Sequence, residues 1–120
     1  MPETPSIFSR IVSREIPADI VYENDDVIAF RDIAPQAPVH LLVVPKTQQF
    51  ANVTELAAGN PELLALVVST AQALADEYTD GEYRLVFNTG ASVGQTVFHV
   101  HAHVLGTSAG ETLTEGSLAL

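Results

Sequence analysis

The stretch FHVHAHVLG, residues 98–106, constrains the fold more than any other part of the chain. Three histidines alternate in it with small apolar residues: His99, Val100, His101, Ala102, His103 and Val104. Successive side chains of a β-strand point to opposite faces of the sheet, so this alternation predicts a strand with three imidazoles on one face. The apolar face is typical of a buried core. Burying three imidazoles without partners is costly, so the other face predicts a site where three rings point at one spot.

Composition excludes several classes of partner. The chain has 120 residues, 47% of them hydrophobic, and no cysteine, which favours one globular domain without disulfides or thiolate metal sites. Fifteen acidic residues against five basic ones give a formal net charge of -10. Such a charge repels nucleic acid polymers and anionic membranes. The N-terminal sequence lacks the pattern of a secretory signal, and no apolar run has the length of a membrane span, so we expect a cytoplasmic protein.

The remaining sequence contains β-rich segments and two helical segments. A short helix is expected over residues 6–15, capped by Ser6 and stopped by Pro17. A long helix is expected from Pro61, with Asn60 as its cap, to near Tyr78. Its apolar residues cover more than one stripe, which implies a second partner surface. Strands are expected over residues 19–24, 26–32, 39–45, 83–89 and 96–106.

Two kinds of ligand suit a row of imidazoles. Histidine is a common zinc ligand, but His99 and His103 start about 13 Å apart in a regular strand, which can therefore offer two ligands and not three. We accordingly expect no metal. A phosphate fits better, because the segment NTGASVGQT before the histidines contains polar side chains and glycines that let backbone amides approach oxygens. A neutral imidazole is also a competent nucleophile at phosphorus.

At these residues the sequence resembles the histidine triad (HIT) family, whose signature is His-φ-His-φ-His-φ-φ with φ apolar. Residues 99–105 match that signature, and the likeness to the Hint branch, the histidine triad nucleotide-binding proteins, extends over most of residues 6–106. The resemblance implies an α+β fold with a five-stranded antiparallel sheet, one short helix and one long helix. It also implies a homodimer that pairs through the long helix and the YRLVF segment. We expect one HIT domain over residues 1–120, with a core at about 6–106 and a loosely ordered or partner-bound tail at 107–120.

The resemblance further implies an activity and its residues. The expected reaction is hydrolysis of a purine nucleoside monophosphate derivative, of the phosphoramidate type, through a nucleotidyl intermediate on His101 and without a cofactor. By the same analogy His99 and His103 bind phosphate oxygens or assist the leaving group, and His40 orients the cluster. The implied substrate-binding residues are a phosphate cradle of Asn88, Gln95, Thr96 and Val97, the ribose-binding acid Asp32, and a base pocket of Phe8, Ile11, Phe30 and Ile33.

Other interpretations remain open. Asp32 before a proline-rich loop is also typical of a turn, and the four base-pocket residues equally fit a core. Diadenosine polyphosphate hydrolysis, nucleotidyl transfer and nucleotide binding with little turnover are alternative functions within the same family. The tail after Gly106 lacks the aromatic residue with which Hint proteins commonly shape leaving-group specificity.

Overall fold

A five-stranded antiparallel sheet forms the centre of the molecule, as the sequence predicted. The computed structural model describes residues 4–108 and 110–114. The strands lie in the order β1-β2-β3-β5-β4. Their bounds are β1 Ile20–Glu23, β2 Val27–Arg31, β3 Val39–Pro45, β4 Arg84–Val86 and β5 Ala102–Gly106.

Among the described residues, three α-helices cover the two faces of the sheet. They are α1 Ile7–Val12, α2 Val53–Gly59 and α3 Pro61–Tyr78. The sequence predicted α1 and α3 but not α2, which is capped by Asn52 and ends at Asn60, the cap of α3. None of the helices among the described residues combines the length and apolarity that a membrane span requires.

Helix α1 begins as expected and ends earlier than expected. The Ser6 hydroxyl accepts a hydrogen bond from the Ser9 amide, which is the capping interaction that the sequence predicted. The helix ends at Val12 rather than near Pro17. Arg14 adopts a left-handed φ of 69° and closes the helix end, with the Glu15 amide donating to the Arg10 carbonyl. A backbone motif therefore ends the helix before the proline is reached.

Two apolar cores lie on opposite faces of the sheet. The larger one includes Val100, Ala102 and Val104 and packs beneath α2 and α3, as the alternation in residues 99–104 predicted. The smaller one contains Phe8 and Ile11 of α1. The histidines lie on the α1 face.

Strand β5 is shorter than predicted, because regular pairing begins only at Ala102. The Lys46 amide points toward β2, so the backbone groups of the preceding Pro45 face the segment that leads into β5. Proline has no amide hydrogen with which to continue the hydrogen bonding between β3 and β5. The Val100 amide donates instead to the Phe50 carbonyl, so His99 and His101 precede the regular strand.

Candidate active site

Hydrogen bonds define the protonation of His40 and His103. The Gln36 amide donates to His40 Nδ1 at 3.0 Å, so the neutral ring carries its proton on Nε2. His40 Nε2 lies 2.9 Å from His103 Nδ1 and 3.4 Å from an Asp32 carboxylate oxygen. His103 Nδ1 therefore accepts from His40, which leaves the proton of His103 on Nε2. That nitrogen is available to donate to a ligand.

His101 has the opposite tautomer. Its Nδ1 lies 2.9 Å from the His99 carbonyl, which can only accept, so Nδ1 carries the proton. The lone pair is then on Nε2. The ring packs edge-on against Phe8, with centroids 4.9 Å apart, and lies 5.2 Å from the His103 ring. A fixed ring with an unprotonated Nε2 is the form that nucleophilic attack requires.

The surroundings keep these rings neutral. Burial lowers the pKa of His101 below its usual 6.5, although its bond to the His99 carbonyl opposes that shift. Burial, together with the neighbouring His101 and His40, lowers the pKa of His103 to about 4 against the opposing attraction of Asp32. Burial also lowers the pKa of His40, against the opposing attraction of Asp32. The lone pair of His101 is therefore present at neutral pH.

His99 occupies a different place from the other three rings. It is fully buried, and its Nε2 donates to the Pro45 carbonyl at 2.6 Å. Its Nδ1 lies 2.6 Å from the Ser6 hydroxyl, which donates to it. Burial lowers its pKa. The expectation that three imidazoles point at one spot is therefore wrong for His99, whose ring nitrogens are both taken up by protein groups.

A cavity of about 460 Å³ opens beside the other three histidines. Most of the predicted substrate-binding residues line it: Phe8, Ile11, Phe30, Asp32, Ile33, Asn88, Thr96 and Val97. We call its apolar lining from α1, β2 and Ile33 the apolar end, and its lining at His101 and His103 the polar end. Ile33 belongs to this lining and its side chain is 97% exposed. The cavity lining thus contains both apolar and polar side chains.

Gln95 is brought near the cavity but does not line it. Its side chain is 2% exposed, accepts from the Gly90 amide at 2.9 Å, and donates to the carbonyls of Ala51 and Val97. These bonds hold the loop that carries Thr96 and Val97. The structure accordingly places Gln95 as a support of the loop rather than as a ligand contact.

Sequence reasoning missed several residues of the site. Ile7 and Leu42 line the cavity, and Leu42 had a detectable signal because it shares a strand face with His40. The Gln36 amide, which fixes the tautomer of His40, gives no side-chain signal at all. Ser6 appeared in the sequence only as a helix cap.

One group of potential metal ligands exists among the described residues. Asp32, His40 and His103 offer atoms within 4.8 Å of one another. The amide of Gln36 occupies the lone pair of His40 Nδ1, however, so Nε2 bears a proton and has no lone pair for a metal. This tautomer favours a hydrogen-bonded triad over a metal site.

Comparisons with known proteins identify a family model, related sequences and a solved structure that are similar to this chain. The family model of the HIT domain matches residues 13–110. An uncharacterised HIT-like protein of Synechococcus elongatus is 54% identical over 103 residues, covering 84% of this chain and 89% of that protein. The purine nucleoside phosphoramidase of Escherichia coli is 44% identical over 103 residues, covering 84% and 86%. The crystal structure of a HIT family hydrolase from Legionella pneumophila aligns with a TM-score of 0.82 at 42% identity, covering 92% of this chain and 97% of that one.

Proposed function

Since the chain belongs to the HIT family, we propose that it hydrolyses purine nucleoside phosphoramidates through a covalent intermediate on His101. The observation that carries the proposal is the His101 tautomer: Nδ1 is bound to the His99 carbonyl, and Nε2 is unprotonated in a ring that lines the cavity. The 44% identity to a purine nucleoside phosphoramidase supports the choice of substrate.

The reaction proceeds in two displacements. His101 Nε2 attacks the α-phosphorus, and the phosphorus–nitrogen bond to the leaving amine breaks while the amine takes a proton from solvent water. The neutral His103 donates a hydrogen bond from Nε2 to a phosphoryl oxygen. The ring of His101 gains positive charge, which the His99 carbonyl at Nδ1 stabilises. Water then attacks the phosphorus and loses a proton to the solvent, and the bond to His101 breaks. The products are the nucleoside monophosphate and the amine.

The substrate fits the cavity in one orientation. The base occupies the apolar end at Phe8, Ile11, Phe30 and Ile33, all of which line the cavity. In this proposal Asp32, which lines the cavity, accepts from the ribose hydroxyls; one of its oxygens also accepts from the Ala34 amide at 2.8 Å.

The phosphate lies at the polar end of the cavity. Asn88, Thr96 and the Val97 amide surround it there, while His40 orients His103 through the bond of 2.9 Å. His99 supports His101 through its backbone carbonyl and does not contact the phosphate. The reaction needs no cofactor.

The proposal is tested by turnover of an adenosine phosphoramidate compared with a dinucleoside polyphosphate. We expect release of adenosine monophosphate from the amidate and at least about tenfold lower kcat/KM for the dinucleotide. The His101→Ala variant should lose about a thousandfold or more of the rate. Preference for the dinucleotide would instead assign polyphosphate hydrolysis, and tight nucleotide binding without turnover would assign a binding module.

A further inference from the structure

Ser6 lies where three separate segments of the chain meet. Its hydroxyl accepts from the Ser9 amide at 3.0 Å and so caps α1. The same oxygen is 2.6 Å from His99 Nδ1, and the Ser6 amide donates to Gln48 Oε1, also at 2.6 Å. Gln48 belongs to the loop after β3, and His99 to the segment before β5. One serine therefore joins α1 to both segments.

The direction of the Ser6–His99 bond follows from the other end of the ring. His99 Nε2 faces the Pro45 carbonyl, which can only accept, so the ring proton is on Nε2. Nδ1 is then an acceptor, and the Ser6 hydroxyl must donate to it. The ring is held at both nitrogens inside a region where it is fully buried.

We propose that Ser6 is a positioning residue that fixes the nucleophile through His99. The His99 backbone carbonyl accepts from His101 Nδ1 at 2.9 Å, so any movement of residue 99 changes the direction of the lone pair on His101 Nε2. This inference rests on the proposed function, because it assigns Ser6 a role in the attack by His101. Ser6 itself does not line the cavity.

A second contact reinforces the same connection. Phe8, two residues after Ser6, packs edge-on against both His99 and His101, with centroid distances of 5.8 and 4.9 Å. Gln48 secures the start of α1, because its Oε1 also accepts from the Ser9 hydroxyl at 2.8 Å. The position of Phe8 and that of the His101 ring therefore both depend on where α1 begins.

Three substitutions of Ser6 separate positioning from helix capping. Ser6→Ala removes the cap and the donor. Ser6→Asp keeps a capping oxygen but cannot donate at neutral pH. Ser6→Thr keeps both. Asn60→Ala is the matched control, since it removes the corresponding cap of α3, far along the chain from the site.

The readouts are the rate of nucleotidyl-enzyme formation with an adenosine phosphoramidate, the KM, the melting temperature, and the imidazole nitrogen resonances of the protein alone. We expect Ser6→Ala and Ser6→Asp to slow the covalent step by about 10- to 100-fold with little change in KM. Ser6→Thr should restore it. In Ser6→Ala and Ser6→Asp the His99 Nδ1 resonance should shift to that of an unprotonated nitrogen that accepts no hydrogen bond. Asn60→Ala should lower the melting temperature and leave the rate unchanged.

Two results would overturn the inference. One is a wild-type rate in Ser6→Asp, which would reduce the role of Ser6 to capping. The other is an equal loss of rate in Asn60→Ala, which would make the effect one of stability. If the wild-type protein forms no adduct, the proposed function fails by itself. The nitrogen spectra then test the inference separately. If the His101 tautomer and ring environment are unchanged in both Ser6→Ala and Ser6→Asp, Ser6 does not position His101 through His99.

Discussion

At the scale of the residue, the three histidines of the motif and His40 of β3 perform different tasks because their hydrogen-bond partners differ. A backbone amide faces His40, and backbone carbonyls face His101 and His99. These partners assign a lone pair to His101 Nε2 and a proton to His103 Nε2. The alternation predicted that the imidazoles share a face, and the family resemblance named His101 as the attacking ring. Neither predicted that the His99 ring is held away from the cavity, because its partners, Pro45 and Ser6, lie in distant segments of the chain.

The lowered histidine pKa values predict how stability depends on pH. At pH values between about 4 and 6.5 the unfolded chain protonates His103, whereas the folded chain does not, since the folded pKa is about 4. The unfolded state thus binds more protons, and the free energy of unfolding should fall as the pH is lowered from 7 to 5. Urea unfolding at several pH values between 7 and 5 measures this free energy.

The His103→Asn variant is the control for that titration. Having lost the group with the largest shift, it should show a smaller pH slope than the wild type between pH 7 and 5. A free energy of unfolding that stays level over this range in the wild type would contradict the assignment of buried neutral rings.

A substitution at Ile33 should weaken substrate binding without changing the stability of the fold. Its side chain is 97% exposed, so Ile33→Ala should change the free energy of unfolding by less than about 0.5 kcal/mol. Covering an isoleucine with a base is worth about 1.5 kcal/mol, so KM should rise about tenfold. Val93→Ala, which alters another exposed residue outside the cavity lining, is the control. An unchanged KM in Ile33→Ala would exclude Ile33 from the base pocket.

At the scale of the element, strand β3 organises the site. It lies centrally between β2 and β5 and carries His40, while its last residue, Pro45, ends the ladder and accepts from the His99 ring. The sequence predicted this strand with its exact bounds, because a continuous apolar run closed by proline has few alternatives. It did not predict that β5 begins only at Ala102, since that depends on pairing with Pro45.

Helix α2 was missed because its sequence, VTELAAG, is short and contains a single fully buried apolar residue, Leu56. That residue joins the larger core. Leu56→Ala should therefore cost about 2 to 5 kcal/mol of unfolding free energy. The exposed Thr54→Ala in the same helix should cost far less. A loss below about 1 kcal/mol in Leu56→Ala would mean that α2 is only loosely attached to the core.

At the scale of the whole molecule, α3 and β4 each carry apolar side chains that the single chain leaves partly exposed. Strand β4 is an edge strand whose three residues are all half-buried, and Val68 on α3 is 38% exposed. The resemblance predicted pairing through these elements, and that pairing remains a prediction. The Arg84 guanidinium on β4 donates to the Thr114 carbonyl, so part of the tail follows this edge. Residues 109 and 115–120 of the predicted tail lie outside the described residues.

Sedimentation at micromolar concentration tests the pairing. We expect a dimer for the wild type and a shift toward monomer for Val68→Glu, because a buried unpaired carboxylate is costly in an apolar interface. Glu62→Gln, at the exposed start of α3, should leave the dimer unchanged. A wild-type monomer would contradict the prediction.

The proposed reaction requires a covalent bond between phosphorus and one nitrogen of His101. Rapid-quench mass spectrometry after brief mixing with an adenosine phosphoramidate, followed by peptide mapping, measures that bond directly. We predict an adenylate adduct on the peptide that contains His101, present in the wild type and absent in His101→Ala. An adduct on another residue, or turnover of the amidate by His101→Ala at the wild-type rate, would contradict the central claim.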